Sequence, residues 1–287
     1  MNWIIVSLGV IVSSVVLYLA IRKAKDQFIP LELRNLAMFA LPAVLFFAYN
    51  SFRGVSLTVS SYQLGIIVLA ALLFSWLGSV FSLKALELAP NQGYSLIISK
   101  SYVVMTSILS VWLFTSPLTL LDVVAITLIV GFSGLIMIDK KPKVEKTKTD
   151  KTWLWLTFGA FLAWGFLALT LRYLTGMGLA STVILFYLTT IVSILIGAEL
   201  MVKKIKLSVT NNQIWTLLAV GLASTIFNLS LVMGYKLAPN PGYINAANAG
   251  SIALVTIFSA LIFKDELNAK KMIGVLGVLV GLGLLFV

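Results

Sequence analysis

No histidine and no cysteine occurs among the 287 residues, and only ten residues are acidic. Without cysteine there are no disulfides and no thiol nucleophiles. Without histidine, imidazole bases and the usual zinc and haem ligand sets are gone as well. No nucleotide-binding loop of the Walker type is present, so ATP is not expected as the direct driver of whatever the chain does. No catalytic residue, metal ligand or cofactor is therefore expected, and the chain reads as a non-enzyme.

What is present is apolar. Sixty per cent of the residues are hydrophobic and 11% are charged, with a mean hydropathy of +1.04. A soluble core does not need that much apolar surface. The formal charge of +11 does not point to nucleic acid, because Lys and Arg sit in short breaks between apolar runs rather than on one basic face. The expected surroundings are membrane lipids. The first apolar run, Trp3 to Ile21, is too long for a signal-peptide core and is expected to be retained as a first span.

Nine breaks leave ten apolar segments, at about 3–21, 33–50, 63–86, 93–114, 119–138, 153–173, 179–201, 212–235, 242–263 and 268–287. Crossing a hydrocarbon core of about 30 Å takes about 20 apolar residues, and lipid forces each backbone amide to pair internally, so helices are the natural form. The expected fold is an all-α integral membrane protein of ten transmembrane helices.

Leu88-Ala-Pro-Asn-Gln-Gly-Tyr94 recurs as Leu237-Ala-Pro-Asn-Pro-Gly-Tyr243, 149 residues later. From there the halves align without a gap, pairing Ile108 with Ile257, Phe114 with Phe263, and Gly134-Leu135 with Gly283-Leu284. Near the starts of the halves the offset is 150, pairing Trp3 with Trp153, Arg22 with Arg172 and Gln63 with Gln213. The division is 1–138 for the first repeat, a charged tether at 139–151, and 152–287 for the second. Five spans per half is odd, so the second repeat is expected to run inverted, as in alternating-access transporters. A duplicated scaffold without transport is the competing reading.

Seventeen Lys and Arg residues fall after spans 1, 3, 5, 7 and 9, against only Arg53, Arg172 and Lys236 on the other side. The positive-inside rule makes the first set cytoplasmic and puts both termini outside, in a multi-pass protein of the cell membrane.

Two five-span halves, with Ala85-Leu-Glu-Leu-Ala-Pro-Asn-Gln-Gly-Tyr94 leading into the fourth span and Phe258 to Leu267 ahead of a glycine-rich last span, resemble the EamA-type transporters of the drug/metabolite transporter superfamily. Where that family commonly ends the fourth span of a half on Gly-Glu, this chain has Lys264-Asp265-Glu266 in one half and Thr115-Ser116-Pro117 in the other. The resemblance implies a ten-helix basket whose central cavity opens alternately to each side for a small metabolite such as an amino acid, a sugar or a related organic compound.

Polar side chains at membrane depth are the candidates for function. Lys100 lies about two turns inside the fourth span and either holds an anionic group or snorkels to the interface. Asn245 and Asn248 share a face of the ninth span, as do Tyr94 and Ser101 on the fourth, and these faces are expected to line one cavity or to bond between helices. Trp164, with Trp76 and Tyr187, lies inside a span and either walls the cavity or simply packs. The turns holding Asn91, Gly93, Asn240 and Gly242 precede helices whose free N–H groups could face an anion, or they only connect spans. Gly277 with Gly281, and Gly131 with Gly134, are expected to pack helices closely. A small-molecule substrate and lipids are the expected partners. No oligomeric state follows, and the alternatives to transport are a scaffold or, less favoured, a membrane-embedded enzyme.

Overall fold

A computed structural model describes residues 2–89, 92–138, 151–205 and 208–287. The tether at 139–151, apart from Lys151, and the candidate Asn91 lie outside the described residues. Among those described, the chain is all helix, without strands. The first helix is Trp3–Asp26, the second Leu31–Phe52. The third is built from Ser61–Leu69, a π turn at Ala70–Trp76, and Leu77–Leu88. The fourth is built from Gln92–Lys100 and Tyr102–Phe114, interrupted at Ser101. The fifth to tenth are Leu120–Met137, Thr152–Gly176, Ser181–Val202, Asn211–Leu237, Pro241–Phe263 and Ala269–Leu285.

Nine helices among the described residues are long and apolar enough to cross a membrane. The tenth, of 17 residues, is about 26 Å long, close to the hydrocarbon thickness. The bundle carries large apolar side chains outward, with Trp112 83% and Trp155 76% exposed. Water would penalise that surface and lipid accepts it, so the chain is a multi-pass membrane protein by length and composition.

The first helix runs five residues beyond its expected end at 21, through Arg22 to Asp26. Charged residues do not stop a helix, and Arg22 pairs with Asp26 one turn on, at 3.2 Å. The stop comes at Phe28, whose left-handed φ of 57° turns the chain ahead of Pro30.

Every described residue with a left-handed φ belongs to a repeat pair. Phe28 matches Gly178 (178 − 28 = 150), Gly54 matches Lys204 (204 − 54 = 150), and Thr115 matches Lys264 (264 − 115 = 149). Capping boxes recur as well, Ser60 with Gln63 and Thr210 with Gln213. The change of offset falls in the third helix, which spans one residue more than the eighth. The π turn Ala70–Trp76 absorbs it, because an i→i+5 turn holds an extra residue without breaking the helix.

Helix packing follows the same doubling. The first helix packs on the eighth and the sixth on the third; the first packs on the ninth and the sixth on the fourth; the second packs on the seventh and the fifth on the tenth. One apolar core joins Val10, Phe46, Ile67, Leu171, Leu188 and Val232, and a second joins Ile11, Val103, Ile129, Ala247 and Val278. The first helix serves both.

The fifth and tenth helices approach closely through glycine. A Cβ at Gly281 would lie 2.8 Å from Ile129 Cγ1 and 3.0 Å from Ala125 O, and one at Gly277 would strike the Phe132 ring. Gly134 packs on Ile97 of the fourth helix instead, and Gly131 faces open space, so only part of the expected glycine contact lies in this pair. Gly281→Leu should destabilise the fold by about 1–3 kcal/mol through overpacking, while Gly131→Leu should be close to neutral. Thermal unfolding of the two variants in one detergent checks the contrast.

Candidate functional site

Against the first of these cores lies a cavity of about 330 Å³, lined by residues of the first, second, third, fourth, sixth, seventh, eighth and ninth helices. The fifth and tenth helices contribute none of its described lining. The volume falls within the range of small-molecule sites.

Lys100 ends the first segment of the fourth helix, about 12 Å along from Gln92 at 1.5 Å per residue. Its Nζ donates to Tyr18 Oη at 3.3 Å and lies 6.0 Å from the centre of the Tyr18 ring. It faces the cavity, and among the described lining residues it carries the only charge. Beside it, Ser14 Oγ donates to Asn248 Oδ1 at 3.1 Å and shares a 2.9 Å hydrogen bond with Ser251 Oγ. The ninth helix thus offers Asn248 to the cavity with its carbonyl oxygen occupied and its orientation fixed by the first helix.

The third helix presents Ser75, Ser79 and Ser82 to the cavity at spacings of four and three. Ser75 falls inside the π turn, and Ser79 Oγ donates to Ser75 O at 2.8 Å. The eighth helix adds Ser224 and Asn228, with Asn228 Nδ2 donating back to Ser224 O at 2.8 Å. Against these polar faces the sixth and seventh helices set an apolar wall of Trp164, Leu167, Leu171, Leu185 and Leu188.

The two ends of the cavity differ. At one end Leu171, Leu185 and Tyr235 are buried. There Arg172 Nη1 donates to Tyr235 O and, at 2.8 Å, to Lys236 O, tying the sixth helix to the end of the eighth. Asn50 Nδ2 donates to Thr182 O at 3.2 Å, tying the second helix to the seventh. At the other end a smaller cavity of about 160 Å³ shares Asn35, Phe39, Ser79 and Leu83 with the main one and reaches Lys84 and Lys203. Lys203 Nζ stands 2.7 Å from Glu199 and 3.0 Å from Glu32. The hydrogen bonds that the Lys203 ammonium donates, to Glu199 first and then to Glu32, hold it above its ordinary pKa, so it is charged throughout the physiological range. The cavity reaches the surface at this charged end.

Of the expected site residues, Lys100, Asn248 and Trp164 line the cavity. Tyr94 and Ser101 do not. Ser101 N–H and its hydroxyl both donate to Ile97 O, at 3.0 and 2.8 Å, so the two residues do share a face, but it lies off the cavity and leaves Tyr94 exposed. Asn245 is fully buried behind Tyr235, accepting from its hydroxyl at 2.6 Å and donating to Thr106 Oγ1 at 3.0 Å. Its role is interhelical. Trp76 lines the smaller cavity, and Tyr187 donates to Leu57 O at 2.8 Å.

The turn at Asn240 is no open anion site. Asn240 is fully buried, caps the ninth helix by accepting from Gly242 N–H at 2.8 Å, and donates to Ser107 O and Pro117 O. A Cβ at Gly242 would collide with Ser107, so the fourth helix seals this terminus. Gly93 lies in the first turn of the fourth helix. Asn240→Ala removes the cap and two hydrogen bonds that tie the turn to Ser107 O and Pro117 O, an expected loss of about 1–3 kcal/mol. A lower unfolding temperature with unchanged helix content checks it.

An all-α bundle with a partly enclosed cavity, apolar over most of its lining and polar on one part of it, is the class these features define. No family model and no curated protein matches the chain. Among solved structures, a crystal structure of a protein 13% identical in sequence superposes with a TM-score of 0.79, covering 98% of this chain and 95% of that one. At that identity the likeness speaks for the fold alone.

Proposed function

We propose that the chain is a secondary transporter of the EamA type that carries a small metabolite across the cell membrane by alternating access, with Lys100 at its binding site. The observation that carries this reading is the cavity itself, of about 330 Å³, held by eight helices and lined by hydroxyls, amides and one ammonium. A scaffold has no use for an ammonium with no ion-pair partner among the described residues beside an open volume at membrane depth, because charge there is costly unless it does something.

The paired left-handed residues and the doubled helix contacts support two related halves. With five helices in each, the second half runs inverted, its positive-inside count makes the charged end cytoplasmic, and both termini lie outside. The cavity then faces inward.

Exchange of the two halves' conformations gives the opposite state. Arg172 now latches the closed end onto the carbonyls of Tyr235 and Lys236. Its repeat mate is Arg22 (172 − 150 = 22), and the matching carbonyls are those of Leu86 and Glu87 (235 − 149 = 86; 236 − 149 = 87). Arg22 is instead held by Asp26 and, at 3.6 Å, by Asp265. Arg22 latches the end of the third helix when the cavity faces outward, and Arg172 then lets go.

Flux of radiolabelled organic acids, amino acids and sugars into proteoliposomes tests transport. Saturable uptake of one class above protein-free vesicles is expected. No flux of any of them by well-folded protein would turn the reading to a scaffold.

A further inference from the structure

We infer that the cavity selects organic monoanions whose remainder is apolar, such as aromatic or branched carboxylates that carry no amino group; this rests on the transport-site reading above. The argument is one of charge balance and placement. Lys100 supplies one positive charge, its only protein partner among the described contacts is a neutral tyrosine hydroxyl, and an ammonium has three N–H groups to place. An anionic head bonded there satisfies the remaining donors and neutralises a charge that lipid depth makes costly. Asn248, held by Ser14, stands next to it.

The opposite charge is missing. Among the described residues no carboxylate lines the cavity; Glu32 and Glu199 lie in the smaller outer one and are both bound to Lys203. A zwitterion would bring in an ammonium with no carboxylate to receive it, and a second anionic charge would go unmatched. The sixth and seventh helices bring Trp164, Leu167, Leu185 and Leu188 into the same cavity, a surface that suits an aliphatic or aromatic body.

Three probes that share a phenyl-alkyl body separate the charge classes: 3-phenylpropionate (anion), phenylalanine (zwitterion) and phenethylamine (cation). Binding to the purified full chain in detergent is read by ligand-induced thermal shift, and flux of the same probes is read in proteoliposomes. Saturable binding of 3-phenylpropionate is expected, with at least tenfold weaker binding of the other two. Lys100→Met should weaken the anion at least tenfold, and Lys100→Arg should keep it within about threefold because it preserves the charge. Phenylalanine or phenethylamine binding as tightly as the anion, anion binding unchanged in Lys100→Met, or no binding of any probe would each overturn the inference. The comparison of probes on the unaltered protein stands even where a variant fails to fold. Anion binding without flux would overturn the transport reading and leave the selectivity standing, whereas flux of phenylalanine would do the reverse.

Discussion

Lys100→Ala should lower the rate of substrate uptake into proteoliposomes at least tenfold, with helix content and unfolding temperature near those of the unaltered protein. The expected size follows from losing one charge-assisted hydrogen bond, about 1.5–3 kcal/mol, or roughly 10–150-fold. The fold should tolerate the change because Lys100 makes one hydrogen bond, to Tyr18, and no ion pair among those described. Removing an ammonium without a described ion-pair partner from membrane depth is itself not destabilising. If Lys100 only snorkels to the interface, uptake stays within about twofold. The substitution thus separates the two roles that sequence alone leaves open.

Arg172→Ala and Arg22→Ala should move the conformational balance in opposite directions. Arg172 makes two hydrogen bonds to carbonyls that close one end of the cavity. Removing even one charge-assisted bond costs the closed form about 1.5 kcal/mol or more, a shift of at least about tenfold in the ratio of states. The native chain has no cysteine, so a single introduced thiol reports cleanly. With Leu185→Cys near the closed end, modification by a charged thiol reagent should speed up at least about tenfold in Arg172→Ala and slow down in Arg22→Ala. Changes of the same sign in both would mean that the arginines hold the fold together and do not select between states.

Much of this architecture is legible in the sequence, because lipid reduces the problem to apolar length and the repeat reports each boundary twice. The turn at Asn240, the ten helices and the place of Lys100 about two turns into the fourth helix all come from that reading. It fails where the surroundings of a helix face are set by its neighbours. Tyr94 and Ser101 do share a face, since Ser101 N–H still bonds Ile97 O, but that face is not the one that Lys100 turns to the cavity. The π turn leaves only one trace in the sequence, the change of offset from 150 to 149, and it sits in the helix that brings Ser75, Ser79 and Ser82 to the cavity.

Serine is inconspicuous in a membrane helix, since its hydroxyl can bond its own backbone, as Ser79 does with Ser75 O. No compositional signal separates it from a packing residue; the spacing of four and three is the one available cue. Asn245 fails differently. It is on the expected face of the ninth helix, but Tyr235 stands between it and the cavity, which depends on a neighbouring helix that a single-helix pattern does not contain.

The most direct measurement is the accessibility of one cavity thiol from each side of the membrane. Asn228 lines the cavity and, among the described contacts, bonds only to Ser224 of its own helix, so Asn228→Cys should leave the fold intact. In sealed, oriented proteoliposomes, an impermeant thiol reagent should reach it from either face, faster from the outside in Arg172→Ala and faster from the inside in Arg22→Ala. Labelling from one face only, in all three proteins, would contradict alternating access and leave a pocketed scaffold.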